Sequence, residues 1–170
     1  MTDPTTTQDL TGNWTLDAAA TSVTFTTKAM WVLPVKATLQ AKEGSGVVGA
    51  DGSVTGTLVL DPTTIDTKMK KRDAHLLTAD FFDVATYPTF VLNVSGATPK
   101  GAGTYELATT FAAHGQERPL TLPAKVAVDG GVATVTVETD IDRSQWGINW
   151  TKLGAGLHNH VTVVARFTKD

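Results

Sequence analysis

Residues 65–90, IDTKMKKRDAHLLTADFFDVATYPTF, break a chain that otherwise alternates apolar and polar residues. Asp66 or Thr67 is placed to cap a short helix running to about Thr78 or Ala79, with Met69 and Leu76 on one apolar stripe. Lys68, Lys70, Lys71 and Arg72 crowd its first turn, where like charges oppose one another and the positive end of the helix dipole. That cluster is either a solvated face or a surface kept for an anionic partner. Further on, Phe81 and Phe82 lie between Asp80 and Asp83, so the rings are expected to turn inward and the carboxylates to stay wet. Pro88 forces Tyr87 into an extended conformation that opens the next strand.

On either side of this segment the period is two. Trp14 and Leu16, then Val23 and Phe25, alternate with polar neighbours. The run Ala29-Met30-Trp31-Val32-Leu33-Pro34-Val35 is too apolar for a surface loop and too short for a membrane span, so it is expected to fold over one end of the structure. Ala37, Leu39 and Ala41 alternate, Gly44 to Gly46 is expected to loosen that strand, and Gly49-Ala50-Asp51-Gly52 marks a hairpin. A strand over Ser53–Leu60 puts Val54, Gly56, Leu58 and Leu60 on one face. Phe90, Leu92 and Val94 continue the scheme, followed by a turn at Pro99–Gly103, and then by Tyr105, Leu107, Thr109 and Phe111. After the His114-Gly115 turn come Leu120, Leu122, Ala124 and Val126, a hairpin at Asp129-Gly130-Gly131, the strand of Ala133, Val135 and Val137, and finally Val161, Val163, Ala165 and Phe167. Strands joined by short turns predict an all-β antiparallel meander of about eight strands, closed so that no edge is left, with one short helix between strands. Such a barrel either fills with side chains or keeps room for a ligand. Small residues on the inward faces, Ala37, Ala41, Gly56, Ala124 and Ala165, favour a cavity.

A length of 170 residues predicts one domain with a sizeable core. The four-residue basic cluster is too small, and the net charge of −3 has the wrong sign, for general nucleic-acid binding. With no cysteine there is no disulfide, no thiolate nucleophile and no cysteine-bound zinc. Residues 1–10 are expected to be a loose polar terminus ahead of a barrel over 11–170. They carry no secretory signal pattern, which makes the cytoplasm the expected location.

Three groups hold residues with catalytic or metal-binding chemistry. Arg72-Asp73-Ala74-His75 joins charges and an imidazole, but adjacent helical residues point apart and no nucleophile is flagged nearby, so the expected role is to anchor the helix to the barrel. His158-Asn159-His160 puts two imidazoles on one strand face, too few ligands to predict a metal. Asp140, Asp142 and Arg143 near Ser144 and Trp146 predict a loop held by Asp–Arg contacts. Of the four tryptophans, Trp31 and Trp146 are candidates to line a lipid tunnel.

RDAHLLTADFFDVATYP (residues 72–88) is similar to the corresponding block of the YceI-like proteins, lipocalin-like barrels that bind polyisoprenoids. The resemblance extends to IDT at 65–67, HGQERPLTL at 114–122 and IDRSQWGINW at 141–150, in the family's order. A His-Ser pair that the family usually carries near the second strand is replaced here by Ala20-Thr21-Ser22, so any role of that histidine does not carry over. The resemblance implies an up-and-down lipocalin-like barrel in a bacterial protein that binds a polyisoprenoid, of quinone or polyprenyl phosphate type. It would do so for transport, storage or stress-related handling, without catalysis, cofactor or metal; the sequence leaves a homodimer open. The residues expected to contact such a ligand are Phe25, Trp31, Leu39, Leu58, Met69, Lys71, Arg72, His75, Leu76, Phe81, Phe82, Phe90, Leu107, Phe111 and Trp146. Lys70, Lys71 and Arg72 would meet a head-group phosphate at the cavity mouth. Two other readings stay open: a hydrolase or isomerase on a lipid-like substrate with His75 or His114 as base, and a filled barrel that only contacts other proteins.

Overall fold

The alternating segments become strands because one face of each finds an apolar interior while the other stays in water. The computed structural model describes residues 10–29, 33–152 and 155–170. Among them the strands are β1 (Gly12–Leu16), β2 (Ser22–Ala29), β3 (Leu33–Val48), β4 (Val54–Asp66), β5 (Phe90–Gly101), β6 (Thr104–Ala113), β7 (Gln116–Asp129), β8 (Val132–Asp142) and β9 (His158–Lys169), with helix α1 (Lys70–Leu76) between β4 and β5. From β2 onward each strand pairs antiparallel with the next, and β9 returns to pair with β2, closing a ring of eight.

β1 lies in the same slot as β2. It pairs with β3 through Asn13↔Val47 and with β9 through Leu16↔Phe167, so the two are one wall position interrupted by a 3-10 turn at Ala18–Ala20. Asp17 caps that turn, its carboxylate accepting from the Ala20 N–H at 3.2 Å. Tight hairpins join β3 to β4, β5 to β6 and β7 to β8 at one end of the barrel. The opposite end carries α1, the aromatic segment before β5, the His114-Gly115 turn and the long connection from β8 to β9. His114 and Gly115 both take positive φ, 54° and 74°, the geometry of a two-residue turn whose twist matches the flanking strands.

Several local expectations change. The helix is shorter than predicted, because neither Asp66 nor Thr67 caps it: Met69 occupies the cap position and gives no side-chain bond. Asp66 instead accepts from the Lys68 N–H at 2.8 Å, and Lys68 sits at φ 66°, a left-handed corner from which no helix can continue backward. Of the apolar run at 29–35, Ala29 and Leu33 to Val35 are strand, paired as Ala29↔Leu33, rather than a loop over the end, and residues 30–32, with Trp31, lie outside the described residues. The strand expected at Ser53–Leu60 runs on to Asp66. It absorbs Pro62 in a bulge between the pairs Gln40↔Asp61 and Thr38↔Asp66, where the missing proline N–H costs no ladder bond.

Gly44 to Gly46 does not loosen β3, which continues to Val48. At Gly44 a side chain would meet the Thr57 carbonyl at 2.9 Å and Leu16 Cβ at 3.0 Å, so the glycine is where β1 presses onto the wall. Gly44→Ala is therefore expected to cost about 1–3 kcal/mol in urea unfolding. Gly131→Ala, which meets nothing within 4 Å and lies outside the left-handed region, is expected to stay close to neutral. Equal losses in the two variants would mean that close approach is not what Gly44 provides.

Candidate ligand-binding site

Where the inward side chains of eight strands are too small to meet, a space remains. Ala37 and Ala165 stand in the wall of a cavity of about 550 Å³. Ala41, Gly56 and Ala124 do not line it, and Ala124 instead packs with Leu122 and Val137 in a small separate cluster. The volume falls inside the range of about 300–1,000 Å³ usual for small-molecule sites. The wall is almost wholly apolar, and the sequence-predicted contact residues come together in it: all except Trp31, which is not described, line this one space. Lining residues on β9 run from Asn159 to Phe167, about 26 Å along the strand at 3.3 Å per residue, so the cavity is deep. Its exposed lining residues, Met69, Lys71 and Lys152, all belong to the segments of the α1 end, and there the cavity meets solvent.

That end is assembled from the segments that stood out in the sequence. Thr67 is the joint between barrel and helix. Its hydroxyl donates to the Asp73 carboxylate at 2.5 Å and accepts from Arg72 Nε at 2.8 Å, while Arg72 Nη2 donates to its carbonyl, also at 2.8 Å. The anchoring role expected of Arg72 and Asp73 is met through this threonine. Phe81 and Phe82 are buried as expected, Phe82 edge-on to Phe90, and Phe111 continues the contact to Trp146. Trp146 is 1% exposed, and its indole N–H donates to the Phe111 carbonyl at 2.8 Å. Tyr87 covers Gly115 so closely that a Cβ there would lie 2.7 Å from its ring. Arg118 donates to the Gln145 carbonyl, tying the β7 start to the β8–β9 connection.

His75 packs its ring edge-on to Phe81 and Trp150, at 5.2 and 4.7 Å, and its Nε2 lies 2.8 Å from the Asp80 carboxylate. His114 does not line the cavity; its ring lies tilted against Tyr87 at 5.0 Å. His158 and His160 each stand opposite an aspartate across the β8–β9 ladder, Asp142 at 3.9 Å and Asp140 at 2.9 Å, on exposed positions outside the cavity.

The expected Asp–Arg loop is built differently. Arg143 sends its donors to four backbone carbonyls: Gly156 at 3.0 Å, Ile148 at 2.7 Å, Trp150 at 2.6 Å and Ala155 at 3.4 Å. It also lies 5.2 Å over the Phe81 ring. Burial pushes its pKa below the ordinary guanidinium value, with Asp142 pulling the other way, and it stays protonated. Asp142 turns instead to Ser144, whose hydroxyl and N–H donate to it at 2.6 and 2.9 Å and hold its pKa below the usual carboxylate value. Arg143, Trp150 and Lys152 line the cavity and were not foreseen as contact residues. Arg143 and Trp150 belong to the IDRSQWGINW block and Lys152 lies two residues past it, but nothing in that spacing shows that the arginine turns inward.

Among the charged residues lining the cavity, Lys71, Arg72, Arg143 and Lys152 are all cations, and no described Asp or Glu joins them. Arg72 and Arg143 are committed to Thr67 and to carbonyls. Lys70, expected at the mouth with Lys71 and Arg72, does not line the cavity; Lys152, from the β8–β9 connection, does.

The YceI-like domain family model matches residues 14–168. A UPF0312 protein of Vibrio campbellii is 30% identical over 76 residues, 45% of this chain and 39% of its own. One of Azotobacter vinelandii is 27% identical over 71 residues, 42% and 37% respectively. The matched part thus spans less than half the length of these curated relatives. In three dimensions the chain is similar to Burkholderia cenocepacia BcnA, with TM-score 0.78 and 19% identity over 89% of this chain and 98% of that one. It is also similar to a polyisoprenoid binding domain from Saccharophagus degradans implicated in plant cell wall breakdown, with TM-score 0.74 and 16% identity over 92% and 98%. At these identities the two structures speak for the fold.

Two outcomes follow from the rim geometry. Arg143→Lys, which replaces a planar fork by a point donor and leaves part-buried carbonyls unanswered, should lower stability by about 2–4 kcal/mol in urea unfolding. Asp142 has a depressed folded-state pKa, so its contribution is complete above about pH 4 and is lost as pH falls through the lower folded value. Stability measured against pH should therefore fall less steeply on the acid side in Asp142→Asn than in the parent.

Proposed function

The chain belongs to the YceI-like domain family, and from that premise we propose that its lumen holds the hydrocarbon tail of an isoprenoid lipid while the head group sits at the α1 end. The observation that carries this reading is the deep apolar cavity, open at one end, whose charged lining residues among those described are all cations. The polyisoprenoid-binding neighbour supports the ligand class. The tail gains affinity by leaving water, at about 0.8 kcal/mol per CH₂. For a chain of roughly 40 carbons that is tens of kcal/mol gross, far past the observed ceiling near −18 to −21 kcal/mol, so ordering the chain consumes most of it.

Head-group choice falls to Lys71 and Lys152, since Arg72 and Arg143 already have partners. A polyprenyl phosphate fits two ammonium groups better than a neutral quinone does, because a full negative charge is answered by both. Transport or storage is the matching role, and no cofactor is required for it. His75, with its Nε2 on Asp80 and its ring edge on Phe81 and Trp150, serves in this reading as wall rather than base.

The test is mass spectrometry of a solvent extract from never-denatured protein, handled beside an unrelated barrel. A stoichiometric isoprenoid is expected, and extraction should lower the melting temperature in a way that added ligand restores. If neither native nor added isoprenoid binds, the proposal fails. The double variant Lys71→Gln, Lys152→Gln should weaken a phosphate-headed isoprenoid by roughly tenfold and a quinone hardly at all. Equal loss for both ligands would remove the head-group assignment while leaving the tail site standing.

A further inference from the structure

A lipid-filled lumen has to exchange its cargo with something, and the rim around its opening extends past the cavity lining to Leu33, Lys68 and Lys70. Met69 is 53% exposed and Leu33 is 52% exposed, two of only four large apolar residues so placed among the described residues. Both lie on the same side of the molecule: β3 and β4 are neighbours, and Leu33 and Met69 each stand beyond the pair Thr38↔Asp66, toward the cavity opening. Around Met69 the chain places Lys68, Lys70 and Lys71.

The charges that could answer these lysines from nearby elements are already engaged. Asp66 meets Lys68 at 3.3 Å in an exposed pair, and Asp73 accepts from Thr67. Among the described residues Lys70 and Lys71 meet no carboxylate. Their position is locally unfavourable, at the start of a helix whose cap offers no side-chain bond. Asp66 also pins Lys68 in its left-handed corner, and Met69 follows directly.

We infer that this rim docks on the surface of an anionic phospholipid bilayer, with Leu33 and Met69 entering the interface and Lys68, Lys70 and Lys71 facing the head groups. Apolar side chains supply one part of interfacial binding and a basic cluster supplies the other, and reversible attachment needs both. Docking in this orientation sets the cavity opening against the membrane, so that an isoprenoid tail moves between bilayer and lumen with little exposure to water. The inference rests on the lipid-binding reading and adds to it where the cargo comes from.

Cosedimentation with extruded vesicles tests it, using the full chain at low ionic strength. Vesicles of equal parts phosphatidylcholine and phosphatidylglycerol should carry the protein down, vesicles of phosphatidylcholine alone should not, and added salt should release it. Lys68→Gln with Lys70→Gln should weaken association on the order of thirtyfold, at about 1 kcal/mol per lysine near the surface. Leu33→Ser should weaken it independently. Neither change touches the cavity wall, so binding of a dispersed isoprenoid without vesicles should be unaltered.

If the parent protein binds isoprenoid but ignores the mixed vesicles, or if the variants sediment like the parent, docking is overturned and the lumen's function stands. If it sediments as expected yet takes no isoprenoid, docking stands and the lipid-binding reading is what fails. A concentration-dependent dimer that Leu33→Ser returns to monomer would assign the rim to a second copy of the chain and overturn the membrane.

Discussion

Closing eight antiparallel strands into a ring pairs the backbone groups of the wall, and it also sets the circumference independently of what fills the inside. That constraint governs the molecule. Once the ring is closed, inward residues such as Ala37 and Ala165 cannot reach across, and a deep space remains where a smaller domain would have collapsed. A void of that size forfeits packing contacts on every side of its lining. A hydrocarbon tail restores those contacts without asking the wall to move, which is why an apolar ligand and this architecture suit one another.

The open end is held by a different logic. Apart from α1, the segments there are largely irregular backbone with carbonyls that the sheet cannot pair, and the chain answers several of them with side chains placed from a distance. Arg143 gathers carbonyls between residues 148 and 156, Arg72 and Asp73 clamp Thr67, Arg118 reaches Gln145, and the Trp146 indole takes the Phe111 carbonyl. The aromatic chain from Phe82 through Phe90 and Phe111 to Trp146 then packs the floor beneath them. With both arginines committed to Thr67 and to carbonyls, the cavity cations among the described residues left to face a visitor are the two lysines.

Strain collects at the same end. Among the described residues, the non-glycine positions with positive φ, Lys68, Asp83 and His114, all lie in its connections, at corners where the chain leaves or re-enters the barrel. Each is a backbone state that the surroundings must enforce, and such states persist near sites where the position of a side chain matters more than local stability. The tight hairpins of the far end turn on glycines with positive φ, at Gly52, Gly101, Gly103 and Gly130.

The period-two pattern, the turn dipeptides and the four family-like blocks were enough to specify a closed barrel and its strand order, because each depends on neighbours two residues apart or on one turn; they did not fix the phase of the strands, and Ala41, Gly56 and Ala124 do not line the cavity. They also placed Phe81, Phe82, Phe111 and Trp146 together, since large aromatics on inward faces have nowhere else to go. Helix length, the continuity of β3 through Gly44, and the bulge at Pro62 depended on contacts with other strands and were not legible. The same holds for Arg143. An arginine beside two aspartates reads as an ion pair, and only the fold shows that the carbonyls of residues 148–156 are nearer and drier than Asp142. Nor could sequence exchange Lys70 for Lys152 at the opening, because that choice depends on which of two lysines, about 80 residues apart in the chain, the closing of the ring brings to its edge.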